Sequence, residues 1–142
     1  MTAREVALRA LVACEKQGAW SDGFLKKTLK TAGLDSRDAA LATRLCFGVL
    51  QNRLLLDHYL GALSTVKLEK MEPAVRNSLR LGAYQVLFLD RVPDHAAVSE
   101  AVDLARKGSR NPRASGLVNG VLRSLARQKD TLEVPDHPAV RY

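Results

Sequence analysis

Apolar residues recur every three to four positions along most of the chain, which is the spacing of helices that bury one face. Short breaks rich in Gly, Pro and Asp separate these stretches, and no pair of strands stands out. The pattern predicts an all-α fold. Its helices are expected over about 4–17, 22–31, 36–52, 54–63, 73–89, 94–107 and 114–128, with a kink between the third and the fourth.

One predicted helix has the pattern of a central element. The segment 73–89 is apolar on most of its sides, which is typical of a helix surrounded by others. Pro73 stands where a proline favours the first turn of a helix. Asp35 is a predicted N-cap of an earlier helix, and Gly48 lies in the middle of that helix's apolar face. A glycine there lets a second helix approach closely.

Length and composition indicate a single globular domain. The 142 residues are 46% hydrophobic and 26% charged, a balance that allows folding without a disulfide or a metal ion. No apolar stretch approaches the ~20 residues of a membrane span, and the first residues lack the apolar core of a secretory signal. We therefore expect a cytoplasmic protein in which Cys14 and Cys46 are reduced thiols in the core.

The net charge of +7 is concentrated in one segment. The window Leu104–Lys129 contains no Asp or Glu, and basic and acidic residues balance in the rest of the chain. A local excess of this kind attracts polyanions such as nucleic acids. A basic loop that only aids solubility remains the alternative at this point. The basic residues of the window are Arg106, Lys107, Arg110, Arg113, Arg123, Arg127 and Lys129.

The arrangement of these cations favours phosphate as their ligand. A flexible loop over about 108–113 is expected to lead into a helix on which Arg123 and Arg127, four positions apart, are neighbours. Guanidinium groups bind phosphate through paired donors. The window contains no Phe, Tyr or Trp, so base stacking on aromatic rings is not available there. The pattern therefore predicts recognition of the nucleic-acid backbone and shape, dominated by counterion release.

Catalytic motifs are missing from the chain. It has no glycine-rich phosphate loop, and its three histidines lack metal-ligand spacing. Cys46 lies beside an apolar helix face with no sign of a neighbouring base. We expect neither catalysis nor a bound metal ion or cofactor within these residues.

Two polar residues have structural interpretations that outweigh functional ones. Asn119 flanks a glycine-spaced helix face, where its amide would bridge the backbones of two helices. Glu100 lies at the edge of an apolar face and would form an ion pair with Arg76 or Arg80. The sequence leaves open whether these two arginines lie inside or outside the fold.

Several segments carry a family resemblance. They are residues 75–89 (VRNSLRLGAYQVLFL), 97–102 (AVSEAV) and 117–123 (LVNGVLR). In combination they resemble the NusB-like family, and more closely the N-terminal domain of the bacterial 16S rRNA 5-methylcytosine methyltransferases (Sun/Fmu/RsmB). The resemblance extends over nearly all of residues 4–128.

This resemblance implies a bundle of about seven helices in two sub-bundles. Residues 1–129 would form a NusB-like RNA-binding domain, and residues 130–142 a linker toward a catalytic domain that is absent from this chain. That domain would use S-adenosylmethionine and a cysteine pair. Neither Cys14 nor Cys46 falls in the family's catalytic motifs. By this resemblance, the chain alone is not an enzyme.

The leading hypothesis is an RNA-binding accessory domain of an rRNA (cytosine-5) methyltransferase. Its partners would be 16S rRNA and the catalytic domain in cis. A free-standing transcription antitermination factor that binds boxA RNA and a ribosomal protein is one alternative. A protein-docking module, including a homodimer, is another. NusB has an arginine-rich start, where this chain offers only Arg4 and Arg9, which weakens the first alternative. The predicted RNA-binding residues are Arg4, Arg106, Lys107, Arg110, Arg113, Arg123 and Arg127.

Overall fold

The structure, a computed structural model, describes residues 1–132. This part of the chain is all-α, as predicted, and the expected linker lies mostly outside it. Its elements are α1 (Ala3–Gln17), α2 (Asp22–Lys30), α3 (Ser36–Leu63), α4 (Pro73–Phe88), α5 (Asp94–Gly108) and α6 (Ala114–Gln128), with short 3-10 turns at Leu68–Lys70 and Lys129–Thr131.

The helices form two groups around α4. Helices α1, α2 and α3 pack on one another, as do α4, α5 and α6, and α4 also contacts α1 and α3. The two expected sub-bundles are therefore present, and the predicted central helix is α4. Every residue from Asn77 to Val86 is buried.

The expected helices 36–52 and 54–63 are one continuous helix, α3. No Pro or Gly interrupts the junction. Asn52 lies within the helix, and its side-chain amide donates to the carbonyl of Gly48 at 2.8 Å. Arg53 is held by a distant residue, since its guanidinium lies 4.7 Å from the centroid of the Trp20 ring.

Two glycines allow α4 to pack closely, and the prediction for Gly48 is confirmed. A Cβ at Gly48 would overlap the ring of Tyr84 on α4. A Cβ at Gly82 would overlap Leu122 of α6 and press on Ala101 of α5. The missing side chains therefore set the contacts of α3 with α4 and of α4 with α5 and α6.

Helix starts follow the expected capping chemistry. The carboxylate of Asp35 accepts from the backbone N–H of Asp38 at 2.8 Å. At the start of α1, Thr2 and Glu5 form a reciprocal capping box. Pro73 is in the first turn of α4.

A half-buried ionic network joins α1, α3 and α4. Arg76 donates to both carboxylate oxygens of Glu15, at 2.8 and 2.6 Å. Arg80 donates to both oxygens of Asp57, each at 2.8 Å, and also reaches Glu15 at 3.2 Å. The predicted pairing of these arginines with Glu100 is wrong. Glu100 is exposed on α5, and the arginines point from α4 toward the other sub-bundle.

Both cysteines are reduced and fully buried, as predicted. Burial raises the pKa of Cys14, and burial followed by the proximity of Cys14 raises the pKa of Cys46 to about 12. Neither thiol is therefore a nucleophile in this fold.

Across residues 1–132, no helix has the length and hydropathy needed to cross a membrane.

Candidate nucleic-acid interface

The acid-free window forms the C-terminal end of α5, the loop that follows it, and α6. Local hydrogen bonds shape the loop between α5 and α6. Ser109 Oγ accepts from the N–H of Asn111 at 3.0 Å, and Asn111 Oδ1 accepts from the N–H of Arg113 at 2.9 Å. Ser109 also donates to Glu72, the residue before α4, at 2.5 Å. These bonds fix the path by which the chain enters α6.

Helices α5 and α6 form the two sides of an open groove of about 490 Å³. Three of the predicted RNA-binding arginines line it: Arg106 from α5, and Arg123 and Arg127 from α6. All three are exposed. The floor is apolar and contains Val98, Val102 and Ala126. The groove thus combines a cationic rim with an apolar base.

Two carboxylates also lie in this groove, and each binds a cation. Arg106 and Asp103 form an exposed pair at 2.9 Å, and Lys129 bonds to Asp94 at 2.9 Å. The Lys129–Asp94 pair is half-buried, and the exposed Arg106–Asp103 pair contributes little to stability. Arg123 and Arg127 make no ion pair with any residue of the described part of the chain. They are the groove cations most available to phosphate.

The remaining predicted residues lie on other surfaces. Lys107 lines a second groove between α1, α4 and α5, together with Arg9 and Lys16. Arg113 borders a third, near Lys70. Adjacent helix positions such as 106 and 107 point about 100° apart, because a turn contains 3.6 residues. The seven cations of the window therefore face several directions.

Arg110 and Arg4 complete the set of predicted residues. Arg110 is exposed in the loop before α6. Arg4 is half-buried, and its Nε donates at 3.0 Å to Oε1 of the buried Gln85 on α4. One donor of Arg4 is thus used within the fold, and Arg4 does not line the α5–α6 groove.

Sequence reasoning did not place Asn119 in the groove. The glycine-spaced face of α6 was expected to contact another helix, but open space surrounds Gly116 and Gly120. Asn119 instead lines the α5–α6 groove, with Ser99 on the facing helix. The spacing of Asn119, Arg123 and Arg127 at intervals of four was a signal in the sequence that they share a face.

Comparisons with known proteins agree on the family to which this chain is similar. Residues 1–127 match the NusB family. The chain is 40% identical over 125 residues to a probable ribosomal RNA small subunit methyltransferase B of Bacillus subtilis, covering 88% of this chain and 28% of that protein. It is also 40% identical over 125 residues to ribosomal RNA small subunit methyltransferase B of Thermus thermophilus, covering 88% of this chain and 30% of that protein.

A solved structure shares the fold. NusB of T. maritima superposes with a TM-score of 0.77 and 25% sequence identity, over 90% of this chain and 94% of that one. The chain thus spans nearly a whole NusB but less than a third of the methyltransferases it matches. With a family match over residues 1–127 and this common fold, the chain belongs to the NusB family.

Proposed function

We propose that this chain is the RNA-binding accessory domain of an rRNA (cytosine-5) methyltransferase. It holds phosphates of 16S rRNA in the α5–α6 groove and so positions a catalytic domain that follows it in the same polypeptide. The observation that carries the proposal is the convergence of Arg106, Arg123 and Arg127 on one groove, two of them without an acidic partner among residues 1–132.

The groove suits a phosphate chain for electrostatic reasons. Guanidinium groups bind phosphate oxygens through paired donors, and each contact releases counterions from the RNA. The groove carboxylates are neutralised by Lys129 and Arg106, so they oppose an approaching phosphate only weakly. Arg110 and Arg113 on the neighbouring loop extend the positive surface beyond the groove.

Methyl transfer is assigned to residues outside this chain. The relatives are named methyltransferases, and this chain matches less than a third of their length. S-adenosylmethionine and the catalytic cysteines belong to the remaining part. The buried thiols of Cys14 and Cys46 support this division, since neither is accessible to a base of RNA. The site of action is the cytoplasm, where rRNA is available.

Binding of a labelled 16S rRNA fragment to the 142-residue chain tests the proposal. We expect the pair Arg123→Gln/Arg127→Gln to weaken binding roughly tenfold or more, because a hydrogen bond to a charged group contributes about 1.5 kcal/mol or more. The pair Arg37→Gln/Arg44→Gln removes the same charge from exposed positions of α3 and is the matched control. Equal affinities for the two pairs would exclude the groove as the RNA site.

A second candidate function rests on the match to T. maritima NusB, of which this chain covers 94%. The chain would then be a free-standing antitermination factor that binds boxA RNA together with a ribosomal protein. The genomic codons after Tyr142 separate the two candidates. A stop codon there supports the antitermination factor, and several hundred further codons support the methyltransferase.

A further inference from the structure

The α5–α6 groove contains polar groups that a purely electrostatic phosphate site does not need. Asn119 is half-buried on α6, and Ser99 lies on α5 across the groove. Neither side chain makes a hydrogen bond within the described residues. An amide presents both donors and an acceptor in one plane. Both groups are open to solvent and make no hydrogen bond to other described residues, so they are available to a ligand next to the groove cations.

These groups lie beside the apolar part of the groove lining. Val98, Val102 and Ala126 line the same groove. Val98 is buried, and Val102 and Ala126 leave part of their aliphatic surface open to solvent. A nucleobase needs both features, an apolar surface for its face and paired donors and acceptors for its edge. Among the described residues, the groove lining has no Phe, Tyr or Trp but includes the imidazole of His95, so a base face would contact aliphatic side chains and this ring.

The geometry of α6 connects the base position to the phosphate position. Asn119, Arg123 and Arg127 are successive members of one helical stripe, and each step of four residues rises about 6 Å. A nucleotide whose phosphate is bound by Arg123 thus has its base within reach of the Asn119 amide. We propose that this groove reads an unpaired nucleobase of RNA, with Asn119 as the specificity-determining residue and Ser99 assisting from α5.

This inference rests on the proposed function and adds base discrimination to it. Phosphate contacts position a nucleic acid without reading sequence, and hydrogen bonds to base edges specify it. The Arg side chains therefore control affinity and its salt dependence. Asn119 controls the difference in affinity between bases, because its amide pairs with some donor–acceptor edges and opposes others.

The experiment measures binding of the 142-residue chain to A10, C10 and U10 RNA at several salt concentrations. Wild type is expected to prefer one homopolymer by about fivefold or more, the lower end of a bidentate base contact. Asn119→Leu keeps a similar volume without hydrogen bonds and should reduce that preference to within twofold while leaving the salt slope unchanged. Ser99→Ala should reduce it in part. Circular dichroism of each variant verifies the fold.

The outcomes separate the two proposals. Base discrimination that survives Asn119→Leu, or a wild type with no discrimination, overturns base recognition. If Arg123→Gln/Arg127→Gln still weakens all three homopolymers in that case, the phosphate-binding function stands. If that pair of substitutions leaves RNA affinity unchanged, or if the chain binds no RNA, both proposals are wrong. Loss of discrimination in Asn119→Leu with an intact salt slope supports both.

Discussion

The ring of Tyr84 on α4 lies against the backbone of Gly48 on α3, in the space that a Cβ at residue 48 would occupy. Both residues are buried. This contact joins the middle of α3 to the C-terminal half of α4 and so connects the two sub-bundles.

Gly48→Ala should destabilise the fold by about 1–3 kcal/mol, since the added methyl group displaces a buried ring. Gly61→Ala in the same helix is the matched control, because nothing lies within 4 Å of its added Cβ. It should stabilise by up to about 1 kcal/mol through helix propensity. Urea denaturation measures both changes, and equal effects of the two substitutions would disprove the close contact.

The ionic network predicts a strong effect at Glu15. Glu15→Gln removes the charge that faces Arg76 and Arg80 and should destabilise by about 2 kcal/mol, less than a fully buried pair because the groups are partly exposed. Glu100→Gln should change the free energy of unfolding by less than about 0.5 kcal/mol, because Glu100 is exposed. A larger effect at Glu100 would restore the pairing expected from sequence.

The same network predicts a pH dependence. Burial acts to raise the pKa of Glu15, but hydrogen bonds and charge from Arg76 and Arg80 outweigh it and hold the pKa below its ordinary value of 4.5. The carboxylate therefore stabilises the fold above pH 4.5, and this contribution is lost as pH falls through the lowered folded-state pKa. Unfolding free energies measured from pH 7 down to pH 3 should fall less steeply in Glu15→Gln than in wild type. Parallel curves would contradict the network.

Thiol reactivity tests the burial of the cysteines. At pH 8, native protein should resist iodoacetamide at both positions, because the side chains are buried and burial raises each pKa. Both cysteines should react in urea. Mass spectrometry reads the number of labels, and rapid labelling of native protein would show that α1 and α3 separate near Cys46.

Helix positions were predictable because their determinants are local. Asp35 and Pro73 begin helices by capping and by a preset backbone angle, so the first turns of α3 and α4 follow from neighbouring residues. The continuity of α3 was not predictable in this way. At the expected break, Arg53 contacts Trp20, and these two residues lie far apart in the chain and meet only in the folded state.

The sequence predicted which cations form the candidate site, but not how they are distributed among the grooves of the fold. The charge window correctly located cations on α5 and α6, yet the rotation of each helix determines which groove receives them. Arg106 and Lys107 are adjacent and line different grooves. Likewise, the partners of Arg76 and Arg80 come from α1 and α3, which no local pattern connects to α4.

The distribution of cations predicts unequal effects on RNA binding. Lys107 lies in the groove with α1, so Lys107→Gln should weaken binding less than loss of the Arg123 and Arg127 pair. Arg110→Gln/Arg113→Gln should have an intermediate effect, because both residues are exposed on the loop that enters α6. Fluorescence anisotropy with one rRNA fragment ranks the three variants. A dominant effect of Lys107 would move the RNA path to the α1–α5 groove.

The most direct test of the α5–α6 groove as the RNA site is the slope of log affinity against log salt concentration. We would compare wild type with Arg106→Gln/Arg123→Gln/Arg127→Gln on a single-stranded 16S rRNA fragment. Each lost phosphate contact flattens the slope by about 0.7, so three should flatten it by about 2. A slope and affinity equal to those of wild type would show that RNA binds elsewhere or not at all.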